Sequence, residues 1–501
     1  MRLFGNAYIR YELILLAVKA LGGKFLAEEK EITPQGYKEN PDLLPVPAAQ
    51  RAKGYNALTF TLMMFSMNTC IPMFFLGPIG AGLGMDLWQA IVGAFIGNLA
   101  AVIAMYLNGS VGVKYGIPFP VQLRESFGFR GLHIPVLLRG FAGTMWFGIE
   151  AWAGSYALTL IVLFGIGMST TQAIDATFTW LIVALIFYVA TFILVMRLGL
   201  KGIGKVADWG GPLMLLYFIW LVWFLASTPE FGPNIPNLFI STASYFSLNF
   251  LIYLAVQTNW WATVALNISD LSRGINPKKP RAFFTGLFIG IVICQIVGTA
   301  LGYAAVGLTG TILPQDIILK YAPGGVAIIV GLIFAFLAPW STDIVANAPP
   351  LIDILMATLK LRWKTAVVVA GVIAFFAAPW WAVGAAADYV NYMTSWASNY
   401  GILLGPIAGI MIGNYWVTRK RNYDLQKLYT FGPNGNWYKG GWSASSYLTL
   451  LITWILCYLI AVPTGQLAWF GGIPWPGGVM WYFAVVISLI VKVLLDRVFK
   501  E

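Results

Sequence analysis

An all-α polytopic membrane protein of twelve spanning helices, the first ten forming two five-helix units of opposite topology, is what this sequence predicts. Three observations carry the prediction. Of 501 residues, 59% are hydrophobic and 10% charged, with a mean hydropathy of +0.76, a balance outside that of soluble globular domains. Apolar stretches recur near 57–78, 87–107, 133–163, 174–196, 206–227, 238–266, 282–307, 324–346, 364–380, 385–414, 446–463 and 476–496. Most approach or exceed the roughly 20 residues that cross a bilayer. Finally, basic residues alternate between loops: Lys114, Arg124 and Arg130; Arg197, Lys201 and Lys205; Arg273, Lys278, Lys279 and Arg281; Lys360, Arg362 and Lys364; Arg419, Lys420, Arg421, Lys427 and Lys439. The loops between these sets hold only Lys320, which puts both termini in the cytoplasm by the positive-inside rule. The net charge of +11 is thus a topological signal, and no basic stripe with interleaved aromatics points to nucleic acid.

Taken in order, residues 1–54 read as a cytosolic N-terminal segment. Glu12 to Leu21 is apolar but too short to span and carries Lys19; an amphipathic surface helix and residues upstream of the true start fit it equally. Asn40-Pro41-Asp42-Leu43-Leu44-Pro45-Val46-Pro47 is extended, as its prolines require. Residues 55–430 would form the ten-helix core, and 431–501 a cytosolic loop and the last two helices.

The first span contains Ser66-Met67-Asn68-Thr69-Cys70-Ile71-Pro72. Pro72 lacks an N–H and collides with the carbonyl one turn back, so the helix should break here, with Asn68 and Thr69 re-satisfying freed backbone groups. The sixth span carries a second polar interruption, Gln257-Thr258-Asn259, followed by Trp260 and Trp261. Five is odd, so spans 1–5 and 6–10 run oppositely. Breaks in the first helix of each unit are where transporters built this way place substrate and ion.

In the third span Trp146 and Glu150 lie four apart on one helix face. A carboxylate deep in a span is costly and marks a functional position. Arg139 is about three turns away, too far to pair with it directly. An ionised carboxylate only accepts hydrogen bonds, so Glu150 favours a ligand edge rich in donors, or a proton. In the eighth span Asp343 and Asn347 share a face, while Ser341 and Thr342 point elsewhere. A Ser-Thr pair can simply bond its own helix; beside a broken helix, its hydroxyls with freed carbonyls make a hard oxygen site suited to sodium. The glycines of Gly405 to Trp416 in the tenth span read as a packing face with an interfacial anchor. Cys70, Cys294 and Cys457 sit within spans without metal-ligand spacing, and His133 is the one histidine.

Asn259-Trp260-Trp261-Ala262-Thr263, followed by Asn267-Ile268-Ser269-Asp270 and Arg273, resembles the helix 6 signature of the nucleobase:cation symporter-1 family, which includes hydantoin, allantoin, uracil and cytosine permeases. The likeness extends over about residues 40 to 430 and includes the motifs of helices 3 and 8 and the end of helix 10. It implies a LeuT-type 5+5 inverted repeat with two extra C-terminal helices, and import of a planar heterocycle with Na+ across the cytoplasmic membrane by a lipid-embedded monomer. It also implies a cation held between helices 1 and 8 by the carbonyls of Ser66, Thr69 and Ala338 and the side chains of Ser341 and Thr342. Substrate would lie between Trp146 and Trp261, beside Trp260, with Glu150 and Asn347 reading its edges. Glu150 departs from the glutamine of hydantoin-type members, Cys70 stands where an amide is common, and Asp343 replaces a neutral amide. The added carboxyl groups make proton coupling an alternative to sodium. An amino acid or amine symporter of the same fold is a further alternative, and no enzyme motif or channel filter is present.

Overall fold

The computed structural model describes residues 32–197, 200–378, 392–393, 396, 400–461 and 479–501. Glu12 to Leu21, the ends of the ninth and eleventh spans and the start of the tenth and twelfth lie outside the described residues.

Helices dominate what is described. They are α1 (Ala57–Asn68), α2 (Leu76–Gly82), α3 (Leu87–Tyr115), α4 (Phe119–Phe127), α5 (His133–Gly165), α6 (Thr170–Arg197), α7 (Leu200–Ser227), α8 (Leu248–Ala262), α9 (Val264–Ser272), α10 (Arg281–Thr309), α11 (Pro314–Tyr321), α12 (Gly324–Ala357), α13 (Trp363–Ala377), α14 (Gly401–Thr418), α15 (Ala444–Ala461) and α16 (Met480–Phe499). Among the described residues, seven helices are long and apolar enough to cross a membrane, eight when α1 and α2 are taken as one bent span.

Two groups form around the middle of the molecule. In one, α3 packs on α8, α9 and α10, and α10 packs on α1 and α2. In the other, α5 packs on α6, α12 and α13. The α7 helix bridges them, lying against both α1 and α12. The first and sixth spans thus share one group, the third and eighth the other, and the faces between the groups hold the candidate site.

The first span breaks where the sequence predicts. The α1 helix ends at Asn68, Thr69 leaves helical geometry (φ −78°, ψ 85°), and a 3-10 turn from Pro72 to Phe75 restarts the chain into α2 at 63° to α1. Only part of the expected repair is local. The Thr69 hydroxyl donates to the Phe65 carbonyl at 3.1 Å, but Asn68 Nδ2 donates to Gly290 O (3.2 Å) and Ile291 O (2.9 Å) across in α10. Those carbonyls lie in a π turn, Phe288–Ile293, whose altered register leaves acceptors for a neighbour.

The sixth span corrects the sequence reading. Gln257, Thr258 and Asn259 are helical and buried, and the interruption between α8 and α9 is a single residue four positions beyond Asn259, Thr263, which keeps helical dihedrals (φ −65°, ψ −46°). Lateral hydrogen bonds are the reason. Gln257 Oε1 accepts from Asn98 Nδ2 at 3.1 Å, Gln257 Nε2 donates to the Tyr253 hydroxyl at 2.9 Å, and the Thr258 hydroxyl donates to Gly97 O at 2.8 Å. Gln257 and Thr258, satisfied by α3 and their own helix, cost little and give the backbone no cause to open there. Asn259 keeps both side-chain polar atoms buried without partners, and its carbonyl accepts from the Tyr400 hydroxyl.

The segment preceding α1 is tied to α4 and to the chain after α14: Glu39 pairs with Arg124 at 2.7 Å, and the Tyr429 hydroxyl donates to Leu43 O at 2.7 Å. Glu125 of α4 in turn pairs with Arg419 at 2.6 Å.

Candidate functional site

Two adjoining places gather the residues singled out in the sequence. The first is a corner between the α1 break and α12. The Ser341 hydroxyl lies 2.8 Å from Ala338 O and 3.4 Å from Ser66 O; the Thr342 hydroxyl lies 3.1 Å from Ala338 O, 3.5 Å from Ser66 O and 3.0 Å from Met67 O. All of these residues are buried. The α1 helix ends here, so the Ser66 and Met67 carbonyls lack the helical partners they would have in an unbroken span. The corner is closed from behind by α7, where a Cβ on Gly211 would stand 2.6 Å from Ser66 Cα. The oxygens are neutral hydroxyls and carbonyls, and among the described residues no cluster of His, Cys, Asp or Glu has a metal-holding arrangement. Such a donor set fits a weakly demanding monovalent cation rather than a transition metal. Thr69, expected as a carbonyl ligand, sits at the break with its hydroxyl turned to Phe65 O and to Cys294 Sγ at 3.2 Å. Met67 O is the further oxygen that meets Thr342, a residue sequence reasoning missed because carbonyl direction at a break depends on dihedrals.

The second place is a cavity of about 20 Å3 lined by Met67, Cys70, Trp146, Glu150, Trp260, Trp261, Thr263, Val264, Thr342, Ala346 and Asn347. Thr342 belongs to both places and links them. Glu150 and Cys70 line the cavity together, and Glu150 Oε2 is buried without a partner. An unpaired buried carboxylate oxygen facing a cavity is an acceptor waiting for a donor.

The ring arrangement differs from the expected Trp146–Trp261 sandwich. Trp146 and Trp260 meet edge to face at 4.9 Å and 65°, and Tyr400 lies edge-on to Trp146 at 6.4 Å. Trp261 lines the cavity but is anchored outward, its Nε1 donating to Gln295 Oε1 in α10 at 3.2 Å. Adjacent residues on one helix point about 100° apart, so the two tryptophans cannot face the same neighbour. A space of about 20 Å3 holds about one water, far below the 300 Å3 or more typical of a ligand pocket. A ring enters only if Trp146 and Trp260 part. Asp343 also departs from expectation: it is fully buried and stands behind Asn347 rather than at the cavity wall. Arg139 reaches Asn267 Oδ1 (2.9 Å) and Ala346 O (3.3 Å), not Glu150, as its distance along α5 requires.

Residues 45–483 match the family described as "Permease for cytosine/purines, uracil, thiamine, allantoin". The chain belongs to that family. Among curated relatives, it is 28% identical over 442 residues to the purine-uracil permease NCS1 of Arabidopsis thaliana, covering 84% of this chain and 72% of that one. It is 29% identical over 464 residues to the allantoin permease of Bacillus subtilis, covering 87% and 90%. Among solved structures, Mhp1, a nucleobase-cation-symport-1 family transporter in a closed conformation with bromovinylhydantoin bound, superposes with a TM-score of 0.76 at 21% identity, covering 92% of this chain and 95% of that one. The fold is that of a polytopic LeuT-type transporter, and the family is one of permeases, not enzymes.

Proposed function

We propose that this permease imports a nucleobase or related planar heterocycle (uracil, cytosine, a purine, allantoin or a hydantoin) by symport with Na+ across the cytoplasmic membrane. It would work as a monomer of twelve spans with both termini inside: an N-terminal segment to residue 54, a transport core of residues 55–430, and a C-terminal pair of helices. The observation that carries this reading is the junction at Thr342, one residue shared by an all-oxygen corner and a cavity walled by tryptophans. In the proposed cycle the cation takes the Ser66, Thr69 and Ala338 carbonyls with the Ser341 and Thr342 hydroxyls, Met67 O adding a further oxygen, and so holds the broken first helix against α12. Trp146 and Trp260 part, the heterocycle enters between them beside Trp261, and Glu150 Oε2 and Asn347 read its edges. The relatives' names, purine-uracil and allantoin permeases, support the ligand class.

Coupling to protons through Glu150 or Asp343 is the second reading, favoured by two carboxyl groups buried at or beside the cavity. An amine symporter is disfavoured, since an aliphatic zwitterion gains nothing from flat indole walls. Calorimetry of uracil, cytosine, hypoxanthine, allantoin and a 5-substituted hydantoin with purified protein, in sodium and in choline, separates the readings. Sodium symport requires one ligand to bind tighter in sodium and to be lost in Trp146→Ala. Binding that ignores sodium but follows pH moves the coupling to the carboxyls, and no cation-dependent uptake of any of them into proteoliposomes sinks the proposal.

A further inference from the structure

Asp343 is the departure from the family pattern whose surroundings say most. It lies in a π turn of α12, Asp343–Asn347, and both of its oxygens are engaged as acceptors. Oδ1 accepts from Asn347 Nδ2 at 2.9 Å, and Oδ2 accepts from the Tyr188 hydroxyl at 2.7 Å. Tyr188 belongs to α6 and reaches α12 by passing α5 at Gly154, where a Cβ would stand 2.5 Å from the Tyr188 ring. The Phe336 ring meets Tyr188 edge-on at 5.8 Å and fixes it from the α12 side. Three helices therefore hold one carboxylate against the amide of a residue that lines the cavity.

The orientation of the amide then follows. Both Asp343 oxygens are occupied as acceptors, one from the Tyr188 hydroxyl and one from Asn347 Nδ2, so the asparagine spends its NH2 on Asp343. The carbonyl oxygen of Asn347 is left for the cavity. Across that cavity, Glu150 Oε2 is also an acceptor without a partner. Taking the cavity as the ligand site, we propose that Asp343, held by Tyr188, is a positioning residue that keeps the Asn347 carbonyl turned to the ligand. The cavity then selects heterocycles with N–H at both nitrogens flanking a carbonyl over those presenting a bare nitrogen at one of them. Uracil, with N–H at both N1 and N3, is of the first kind, as are ureides such as allantoin; cytosine, with a bare N3, is of the second. In Asp343→Asn the side chain at 343 can itself donate to Asn347 Oδ1, which frees the amide to turn and offer its NH2 instead.

The test measures uracil and cytosine affinities by calorimetry in saturating sodium for the wild type, Asn347→Ala, Asp343→Asn and Tyr188→Phe. The wild type is expected to favour uracil by about tenfold or more, the scale of one satisfied against one unmet hydrogen bond. Asp343→Asn should bring that ratio to within about threefold, Tyr188→Phe should fall between, and the sodium dependence should not move. If Asn347→Ala narrows the ratio while Asp343→Asn and Tyr188→Phe keep it, the positioning role is overturned and the ligand site stands. Equal loss of both affinities in Asp343→Asn, or a wild type that favours cytosine, also overturns it. If Asn347→Ala leaves the ratio unchanged, or the wild type binds neither pyrimidine nor allantoin, the ligand site itself falls. Should Asp343→Asn fail to fold, Tyr188→Phe, which removes one hydroxyl, carries the test.

Discussion

The first helix of each five-helix unit meets the site in a different way. In the first unit the chain opens over Thr69 to Ile71, turns by 63°, and hands the Ser66 and Met67 carbonyls to hydroxyls of α12. In the second unit α8 and α9 are separated by Thr263 alone, with helical dihedrals, and the helix offers tryptophan faces rather than backbone oxygens. The difference teaches that a polar cluster in an apolar span is not itself a break. Gln257 and Thr258 are satisfied sideways by α3 and by Tyr253, so the helix runs on through them. Pro72 cannot donate to the Asn68 carbonyl, α1 ends at that residue, and the Ser66 and Met67 carbonyls left at its C-terminus find partners elsewhere. Backbone oxygens suit a cation; flat side chains on an intact helix suit a ring. On our proposal the two units divide the ligands accordingly.

Four substitutions would sharpen or break that contrast. Asn68→Ala should have the largest effect, lowering stability by about 2–3 kcal/mol, because two buried carbonyls of the α10 π turn lose their donor. Thermal unfolding in detergent would read it, and an unchanged midpoint would mean the break is not clamped from α10. Trp260→Ala should weaken heterocycle binding by about 1–3 kcal/mol, the scale of one aromatic stacking contact, with half-saturating sodium unmoved. A parallel loss of sodium response would show that ring and ion are not divided between the two units. Thr342→Ala should raise half-saturating sodium about tenfold while the protein still folds, since it deletes one ligand of the proposed corner. Sodium dependence surviving intact would place the ion elsewhere. Thr263→Ala should be the mildest, within about 0.5 kcal/mol in stability, since the residue keeps helical dihedrals. A large loss there would make the sixth span a true break after all.

Much of this was legible before any coordinates. The α1 break could be read because proline geometry is local, and the pairing of Trp146 with Glu150 on one wall because helical periodicity fixes which residues share a face. The Ser341-Thr342 pair could be placed near helix 1 only through the family likeness. Neither Tyr188, which holds Asp343 from another helix, nor Gln295, which turns Trp261 outward, carried any sequence signal, since both act through contacts between distant spans. The expected break at Gln257 to Asn259 went wrong for the same reason: whether a buried amide disrupts its helix depends on what the neighbouring helix offers.

The sequence by itself determined the membrane class, the alternation of loops rich and poor in basic residues and the kink at Pro72, because hydropathy, charge and proline act through the solvent and the local chain. Only the tertiary structure decided which carbonyls meet the hydroxyl pair, which tryptophan faces Trp146, and that Asp343 stands behind the cavity wall rather than in it. Those are matters of direction, and direction is set by how helices pack.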